Sequence, residues 1–204
     1  MHEDHKNSFG FEKVSPTEKV AKVFEVFKEV APKYDMMNDL MSFGIHRIWK
    51  EKLVDLLRPR PGMSLLDVAG GTGDVGLRFL DRSKAFDPSV SVTISDQNQA
   101  MLDQGRDKAF DRAITKNLHW ICADATALPF PDDSFDAVTI SFGLRNVVDL
   151  AQALKEMHRV LRPGGQFFCL EFSKAKDPLL AKVYHAYSFS VIPKIGKLVT
   201  QNEE

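Results

Sequence analysis

The sequence predicts an α/β fold with a doubly wound, mainly parallel sheet of the Rossmann-like kind. From Ser64 onward, short apolar segments alternate with amphipathic segments that have helical spacing. The connections between these segments are short, which favours strand–helix–strand units wound on both faces of one sheet. A glycine-rich turn also follows the first apolar segment directly, as in folds of this kind that bind nucleotide-like ligands.

Each element follows from its periodicity and its stop signals. Two helices are predicted before the sheet, at Pro16–Ala31 and His46–Leu57. The predicted strands are Ser64–Val68, Ser91–Ser95, Leu118–Cys122, Ala137–Ser141 and Gln166–Glu171. The predicted helices between them are one that starts with Val75–Phe79, then Ala100–Ala113 and Leu150–Leu161. We expect one domain, in which residues 1–58 form a helical cap with the substrate region and residues 59–204 form the α/β core that binds the cofactor.

Composition excludes several classes of protein. The 204 residues carry a formal net charge of −1, so the composition gives no sign of general nucleic-acid binding. Cys122 and Cys169 lie in apolar segments without metal-type spacing, and we expect them to be reduced core residues and expect no metal site. The N-terminus lacks a secretion signal, and no apolar segment is long enough to span a bilayer.

The glycine turn admits more than one interpretation. Gly71, Gly73 and Gly76 satisfy the pattern G-x-G-x-x-G, and Asp96 follows at about the 20-residue spacing of dinucleotide-binding proteins. The turn is also consistent with an ordinary connection from a strand to a helix. Glycines allow positive φ angles and let a ligand approach bare backbone.

The acidic residues beside the turn favour one ligand class. A pyrophosphate prefers the positive end of a helix without a nearby anion, and Asp67 and Asp74 would repel it. S-adenosylmethionine has no phosphate, and its sulfonium and α-ammonium groups favour nearby carboxylates. We therefore predict S-adenosylmethionine as the cofactor and Asp67 as part of its site.

Ligands of this fold bind at the carboxyl ends of the strands. The polar candidates there are Asp67, the Gly70–Gly73 turn, Asp96, Asp124, Ser141 and Glu171. Asp96 can accept both hydroxyls of a ribose, or cap a helix. Asp124 can accept from the amine of adenine while Ala125 donates its peptide N–H, or it can be a turn aspartate. Arg145 follows the fourth strand and is either a substrate residue or a surface cation.

Three further segments carry a family resemblance. Tyr34–Trp49, Ser141–Val147 and Arg159–Ser173, together with the glycine turn, closely resemble the ubiquinone/menaquinone biosynthesis C-methyltransferases, the UbiE/MenG family that includes the mitochondrial enzyme of coenzyme Q synthesis. The resemblance extends from about Phe9 to the end of the chain. The Tyr34–Trp49 segment is highly specific, whereas the glycine turn alone indicates only a class I methyltransferase.

This resemblance implies methyl transfer from S-adenosylmethionine to a ring carbon of a polyprenylated benzoquinol (2-methoxy-6-polyprenyl-1,4-benzoquinol), of demethylmenaquinol, or of both. By matching positions, the implied cofactor residues are Gly70, Gly71, Thr72, Gly73, Asp96, Gln97, Asp124, Ala125 and Ser141. The implied quinol-pocket residues are Tyr34, Asn38, His46, Arg145 and Asn146.

Three of these residues are candidates for the chemistry. Arg145 is always charged and offers several donors, so it suits the phenolate that develops as a quinol attacks through carbon. His46 is the alternative general base, although it can equally be a residue at a helix N-terminus that bonds to backbone. Tyr34 is expected to position a quinol oxygen.

The resemblance also implies a cellular context. We expect peripheral attachment to a membrane, in the cytoplasm of a bacterium or on the matrix side of the mitochondrial inner membrane, with a homodimer and a complex of quinone-synthesis enzymes as partners. The family continues into a further helix and the last two strands of its sheet, so the predicted fifth strand is expected to be an exposed edge that favours association. The alternatives are a methyltransferase for another small hydrophobic acceptor such as a sterol or phenol, a non-catalytic scaffold and, more distantly, a nicotinamide reductase.

Overall fold

The computed structural model describes residues 8–9, 12–13, 39, 42, 44–84 and 89–172. A short antiparallel ribbon joins β1, Ser8–Phe9, to β2, Glu12–Lys13. The remaining strands are β3 (Ser64–Val68), β4 (Ser91–Asp96), β5 (Leu118–Cys122), β6 (Phe135–Ser141) and β7 (Leu161–Leu170). The helices are α1 (Ile45–Leu57), α2 (Asp74–Ser83), α3 (Gln99–Asp111) and α4 (Leu150–Val160), with a 3₁₀ turn at Leu144–Asn146. The helix predicted at Pro16–Ala31 lies outside the described residues.

The five long strands form one parallel sheet in the order β5-β4-β3-β6-β7. The chain builds the half β3-β4-β5 first and then crosses to β6 on the other side of β3. The strand order therefore reverses between β3 and β6, where a crevice opens at the carboxyl edge. The predicted doubly wound parallel sheet is confirmed.

Two apolar clusters cover the two faces of the sheet. Leu65 packs in one cluster with residues of α1, α2 and α3, such as Leu53 and Phe79. The next residue, Leu66, packs in the other cluster with α4 residues such as Met157. Successive side chains of a strand point to opposite faces, so an uninterrupted apolar strand requires helices on both sides.

Two strands begin earlier than predicted, β6 at Phe135 rather than Ala137 and β7 by a longer segment. β7 was expected from Gln166 but begins at Leu161, directly after α4. Phe135 pairs with Leu161, the register then shifts, and Ala137 pairs with Gln166. The segment between them, with Gly164 at a φ of 80°, is accommodated as an irregularity of the strand.

The prediction that both cysteines are core residues is wrong. Cys122 and Cys169 are exposed because they lie on β5 and β7, the outer strands of the described five-stranded sheet. An outer strand has neighbours on one side only, so an apolar sequence does not guarantee burial there. Among the described residues, no helix has the length and apolar character to cross a membrane.

Candidate active site

A cavity of about 360 Å³ opens at the carboxyl edge of the sheet, beside the switch between β3 and β6. Its wall is formed by Val68, Ala69, Gly71, Asp96, Gln97, Asn98, Met101, Ala123, Asp124, Ala125, Thr126, Ser141, Phe142, Gly143, Asn146, Val147, Val148 and Asp149. The wall is mostly apolar, with a few polar groups that converge from four strand ends. This composition is typical of a small-molecule site.

The glycine turn closes between β3 and α2 because its glycines place no Cβ atom against β4 and β5. Gly73 lies at a φ of 76°, and a Cβ on it would stand 2.5 Å from Ile94 Cδ1 and 2.7 Å from Trp120 Cη2. The peptide N–H of Gly70 donates to Ser95 O at 3.1 Å, which ties the turn to β4. Gly71 is the turn glycine that reaches the cavity wall.

Asp96 holds the turn against the end of β4. Its Oδ2 accepts from the Gly71 N–H at 2.9 Å, and its Oδ1 accepts from the Asn98 N–H at 2.8 Å. Partial burial raises the pKa of Asp96, and these two N–H groups oppose that rise. The alternative role as a helix cap is wrong, because Asn98 caps α3 by accepting from Ala100. Each carboxylate oxygen can accept a second bond, and Asp96 lines the cavity.

Asp124 is both a turn residue and a residue of the cavity wall. Its Oδ1 accepts from the N–H and the hydroxyl of Thr126, each at 2.8 Å, which is the predicted turn alternative. It also lines the cavity together with Ala125. The two interpretations are therefore compatible, since one carboxylate oxygen makes both turn contacts.

Ser141 presents a polar atom without a partner. Its Oγ is buried and makes no hydrogen bond within the part of the chain that the structure describes. Buried hydroxyls are nearly always hydrogen-bonded. Because Ser141 lines the cavity, its hydroxyl is suited to a polar ligand bound there.

The structure brings most of the predicted cofactor residues to one place. Those that line the cavity are Gly71, Asp96, Gln97, Asp124, Ala125 and Ser141. Those that do not line it are Asp67, Gly70, Thr72 and Gly73. Asp67 lies in the sheet beneath the turn, where it is 1% exposed and its Oδ1 accepts from the Thr139 hydroxyl at 2.7 Å. Desolvation by burial raises the pKa of Asp67 to about 7.

Arg145 stands beside the cavity but not in its wall. Its Nη1 donates to Glu171 Oε1 at 2.5 Å, and its guanidinium carbon lies 5.3 Å from the centre of the Phe172 ring. Its neighbour Asn146, predicted for the quinol pocket, does line the cavity. Arg145 is thus a paired cation at the rim.

His46 is buried near the start of α1 and does not line the cavity. Its Nε2 lies 2.9 Å from Asp39 Oδ1, and its peptide N–H donates to Ser42 Oγ at 3.3 Å. Hydrogen bonds from Arg47 and His46 lower the pKa of Asp39 to about 2 against the opposing effect of burial. Tyr34 and Asn38 lie outside the described residues.

Sequence reasoning missed an aromatic cluster at the rim. The Phe142 ring lies 4.7 Å from Phe172 and 6.4 Å from Trp49 between ring centres, and Phe142 also lines the cavity. Phe142 has a φ of 58°, rare for a bulky residue, directly after β6. Its position at a strand end was the available signal, but polar residues alone were considered there.

The comparisons with known proteins decide the family. The family model described as the ubiE/COQ5 methyltransferase family matches residues 15–204. The chain belongs to this family. It is 50% identical over 200 residues to the ubiquinone/menaquinone biosynthesis C-methyltransferase UbiE of Rickettsia bellii, with 98% of this chain and 80% of that protein covered.

A mitochondrial relative agrees with this assignment, and a solved structure shares the fold. The 2-methoxy-6-polyprenyl-1,4-benzoquinol methylase of Danio rerio is 44% identical, with 97% of this chain and 69% of that protein covered. A SAM-dependent methyltransferase from Aquifex aeolicus shares the fold, with a TM-score of 0.57 at 19% identity and coverage of 81% and 77%. The protein is accordingly a methyltransferase that uses S-adenosyl-L-methionine.

The cavity fits this cofactor. The unpartnered Ser141 hydroxyl and the Asp96 carboxylate offer hydrogen-bonding groups for a polar, uncharged sugar and an ammonium group. Within the described residues, no cluster of His, Cys, Asp and Glu side chains is arranged to hold a metal ion.

Proposed function

We propose that this protein transfers a methyl group from S-adenosyl-L-methionine to a ring carbon of a polyprenylated quinol. The acceptor is 2-methoxy-6-polyprenyl-1,4-benzoquinol, demethylmenaquinol or both. The observation that carries the proposal is the cavity itself, which gathers Asp96, Asp124 and Ser141 at the switch point of the sheet. The chain that forms this cavity is 50% identical to the UbiE methyltransferase of Rickettsia bellii.

Each strand end would bind a different part of the cofactor. Asp96, at the end of β4, would accept the two ribose hydroxyls, and Asp124, after β5, would accept the adenine amine. The Ser141 hydroxyl would bond to a polar group near β6. When bound, the cofactor supplies an electrophilic methyl group on a cationic sulfur. The mostly apolar wall would exclude water from this group, which protects it from hydrolysis.

Arg145 would stabilise the oxygen of the acceptor ring. A quinol becomes a stronger carbon nucleophile as its hydroxyl loses a proton, and a guanidinium favours the phenolate that results. The rings of Trp49, Phe142 and Phe172 pack together, Phe142 in the cavity wall, and offer flat surfaces for an acceptor ring. His46 remains the alternative general base, with Asp39 as the group that orients its ring. Tyr34 and Asn38 remain predictions for the quinol pocket.

We propose a membrane surface as the place of action because the acceptor carries an apolar tail. The exposed side of α1 presents Ile48 and Leu56, which are 67% and 51% exposed. Relatives include bacterial proteins and mitochondrial proteins of animals. Peripheral attachment would be in the bacterial cytoplasm or on the mitochondrial matrix side. Cosedimentation with anionic and neutral lipid vesicles, and sedimentation for the proposed homodimer, test this part.

The reaction is tested with a short-chain demethylated quinol and labelled cofactor. The product should gain the mass of one methyl group on carbon. Arg145→Lys keeps the charge but loses the planar fork of donors, and we expect kcat to fall about 100-fold with the affinity for S-adenosylmethionine unchanged.

Arg162→Lys is the matched control for Arg145→Lys. Arg162 pairs with Asp136 at the opposite edge of the same two strands, and both arginines are 45% exposed. The control should keep full turnover. Equal turnover in both variants would remove Arg145 from the reaction, and a chain that binds the cofactor without methylating any quinol would be a scaffold.

A further inference from the structure

The ends of β6 and β7 are fastened together at the carboxyl edge of the sheet. The Phe142 N–H, one residue beyond the last paired residue of β6, donates at 2.7 Å to the carbonyl oxygen of Leu170, the last paired residue of β7. Glu171 follows Leu170, and Arg145 lies in the 3₁₀ turn that follows Phe142. The strand ends therefore bring a carboxylate and a guanidinium to the same rim of the cavity.

Glu171 is itself held in place by backbone. Its Oε1 accepts from the Phe172 N–H at 3.0 Å as well as from Arg145 Nη1 at 2.5 Å. Its Oε2 accepts from the Arg145 N–H at 3.4 Å. The carboxylate thus contacts both the main chain and the side chain of Arg145. These two contacts fix the position of the residue and the orientation of its guanidinium.

The guanidinium then lies against an aromatic surface that leads to the cavity. Arg145 Cζ stands 5.3 Å from the centre of the Phe172 ring, which packs on Phe142 in the cavity wall. Glu171 engages one of the guanidinium nitrogens. Within the described chain, Arg145 bonds to Glu171 through Nη1 and its peptide N–H, so this pair leaves the Nε and Nη2 donors for a ligand.

An ordinary surface ion pair does not account for this arrangement. Arg145 is 45% exposed and Glu171 is 21% exposed, and pairs with such exposure add little to stability. A cation that must meet a developing negative charge gains more from a fixed orientation, because the donors then need no reorganisation during the reaction.

We propose that Glu171 is a positioning residue that holds the Arg145 guanidinium for the oxygen of the acceptor ring. This inference rests on the proposed function. Glu171 touches no reacting atom in this scheme and acts through Arg145. It binds one edge of the guanidinium fork and leaves the other edge for the phenolate.

The kinetic test compares Glu171→Gln, Arg145→Lys and the double variant. Glutamine keeps the size of the side chain but loses the charge that orients the guanidinium. We expect Glu171→Gln to lower kcat about 10- to 100-fold, with little change in KM for the quinol or in cofactor affinity. The double variant should be no slower than the slower single variant, because both changes remove the same oriented donor.

Asp136→Asn is the matched control, since it removes the charge of the corresponding pair with Arg162 at the other end of β6 and β7. It should leave kcat unchanged. Full or increased turnover in Glu171→Gln would overturn the proposal, as would losses in the two single variants that simply multiply in the double variant.

A second readout does not depend on turnover. The Nε–Hε signal of Arg145 in NMR spectra, assigned by its absence in Arg145→Lys, should show slow rotation of the guanidinium in the wild type and fast rotation in Glu171→Gln. Fast rotation in both would overturn the positioning role. If the wild type methylates no quinol, the proposed function fails while this measurement still decides whether Glu171 orients Arg145.

Discussion

Two carboxylates next to the glycine turn have different surroundings and therefore different properties. Asp96 accepts from two peptide N–H groups and reaches the cavity. Asp67 accepts from the Thr139 hydroxyl through Oδ1, while its Oδ2 is buried without a partner among the described residues. At Asp96 the two peptide donors oppose the rise in pKa that burial causes, whereas Asp67 is placed where ionisation is costly.

Asp96→Asn tests the cofactor role at the residue scale. The amide has one acceptor oxygen, so it cannot accept hydrogen bonds from Gly71, Asn98 and a ribose at the same time. We expect the Kd for S-adenosylmethionine to rise by a factor that corresponds to about 1.5–3 kcal/mol, the usual value of hydrogen bonds to a charged group. Calorimetry measures it. Asp103→Asn, on the exposed side of α3, is the control and should bind normally. Unchanged affinity in a folded Asp96→Asn protein would contradict the role.

Asp67 predicts a dependence of stability on pH. Its folded pKa of about 7 lies above the ordinary value of 3.8, so the protonated form favours the folded state. The stability that this proton contributes is present in full below about pH 4 and is lost as the pH rises through about 7. In Asp67→Asn, which keeps the shape and the acceptor for Thr139, that loss should disappear.

The measurement for Asp67 is the free energy of unfolding in denaturant at several pH values. The advantage of Asp67→Asn over the wild type should grow by at most about 4 kcal/mol between about pH 4 and pH 8. Comparison of the two proteins cancels the other carboxylates. A difference that is flat over this range would mean that Asp67 is ionised in the folded protein.

At this scale the sequence predicts which residues gather but not how each is bonded. Asp96, Asp124 and Ser141 could be placed together because each ends a strand whose limits the apolar pattern reveals. The pattern cannot tell that Asp67 points beneath the turn, since that depends on the pleat and on Thr139 in a strand 72 positions away. It also could not reveal the Arg145–Glu171 pair, which exists only because β6 and β7 are neighbours.

At the scale of elements, a buried ion pair attaches α1 to the helix that follows the glycine turn. Lys50 Nζ lies 2.9 Å from Asp74 Oδ2, and the two side chains are 6% and 15% exposed. Arg78 adds a contact at 3.0 Å to the other oxygen. Burial alone would raise the pKa of Asp74, but Lys50 and Arg78 hold it well below its usual range.

Lys50→Met should therefore destabilise the protein by about 3 kcal/mol, because it leaves Asp74 buried with half of its charge compensation. Arg82→Met is the matched control on the same helix pair. Arg82 bonds to Asp55 and Glu51 but is 43% exposed, and its loss should cost less than about 1 kcal/mol. Denaturant unfolding of both variants measures the difference, and equal losses would show that burial of the Lys50 pair contributes nothing extra.

The limits of the elements were predictable where local patterns decide them. β3 and β5 have the predicted bounds, and α1 begins one residue earlier than predicted. β7 differs because Phe135 pairs with Leu161 before the register shifts, an interaction between strands that no local pattern contains. The prediction that Cys122 and Cys169 are buried was wrong for the same kind of reason, because the sequence of a strand does not determine whether it lies at the centre or the edge of the sheet.

At the scale of the whole molecule, the sheet order joins the core to the site. Continuous apolar strands imply helices on both faces, and the change of direction beside β3 opens the cavity between the two halves. The sequence predicts the first feature from the alternation of apolar and amphipathic segments with short connections. The size and the apolar share of the cavity depend on packing among four strand ends, so they emerge only in the folded molecule.

Binding in this cavity should stabilise the whole molecule, because the unfolded chain has no such site. At a concentration of S-adenosylhomocysteine or S-adenosylmethionine near 100 times its Kd, the free energy of unfolding should rise by about 2.7 kcal/mol. For a chain of this length that corresponds to an increase in Tm of roughly 5–10 °C. NAD should give no increase, because the described cavity wall carries carboxylates and no lysine or arginine to compensate a pyrophosphate. A larger increase with NAD than with the methionine nucleosides would overturn the cofactor assignment, and at the same ligand concentration the Asp96→Asn variant should keep less than about half of the increase.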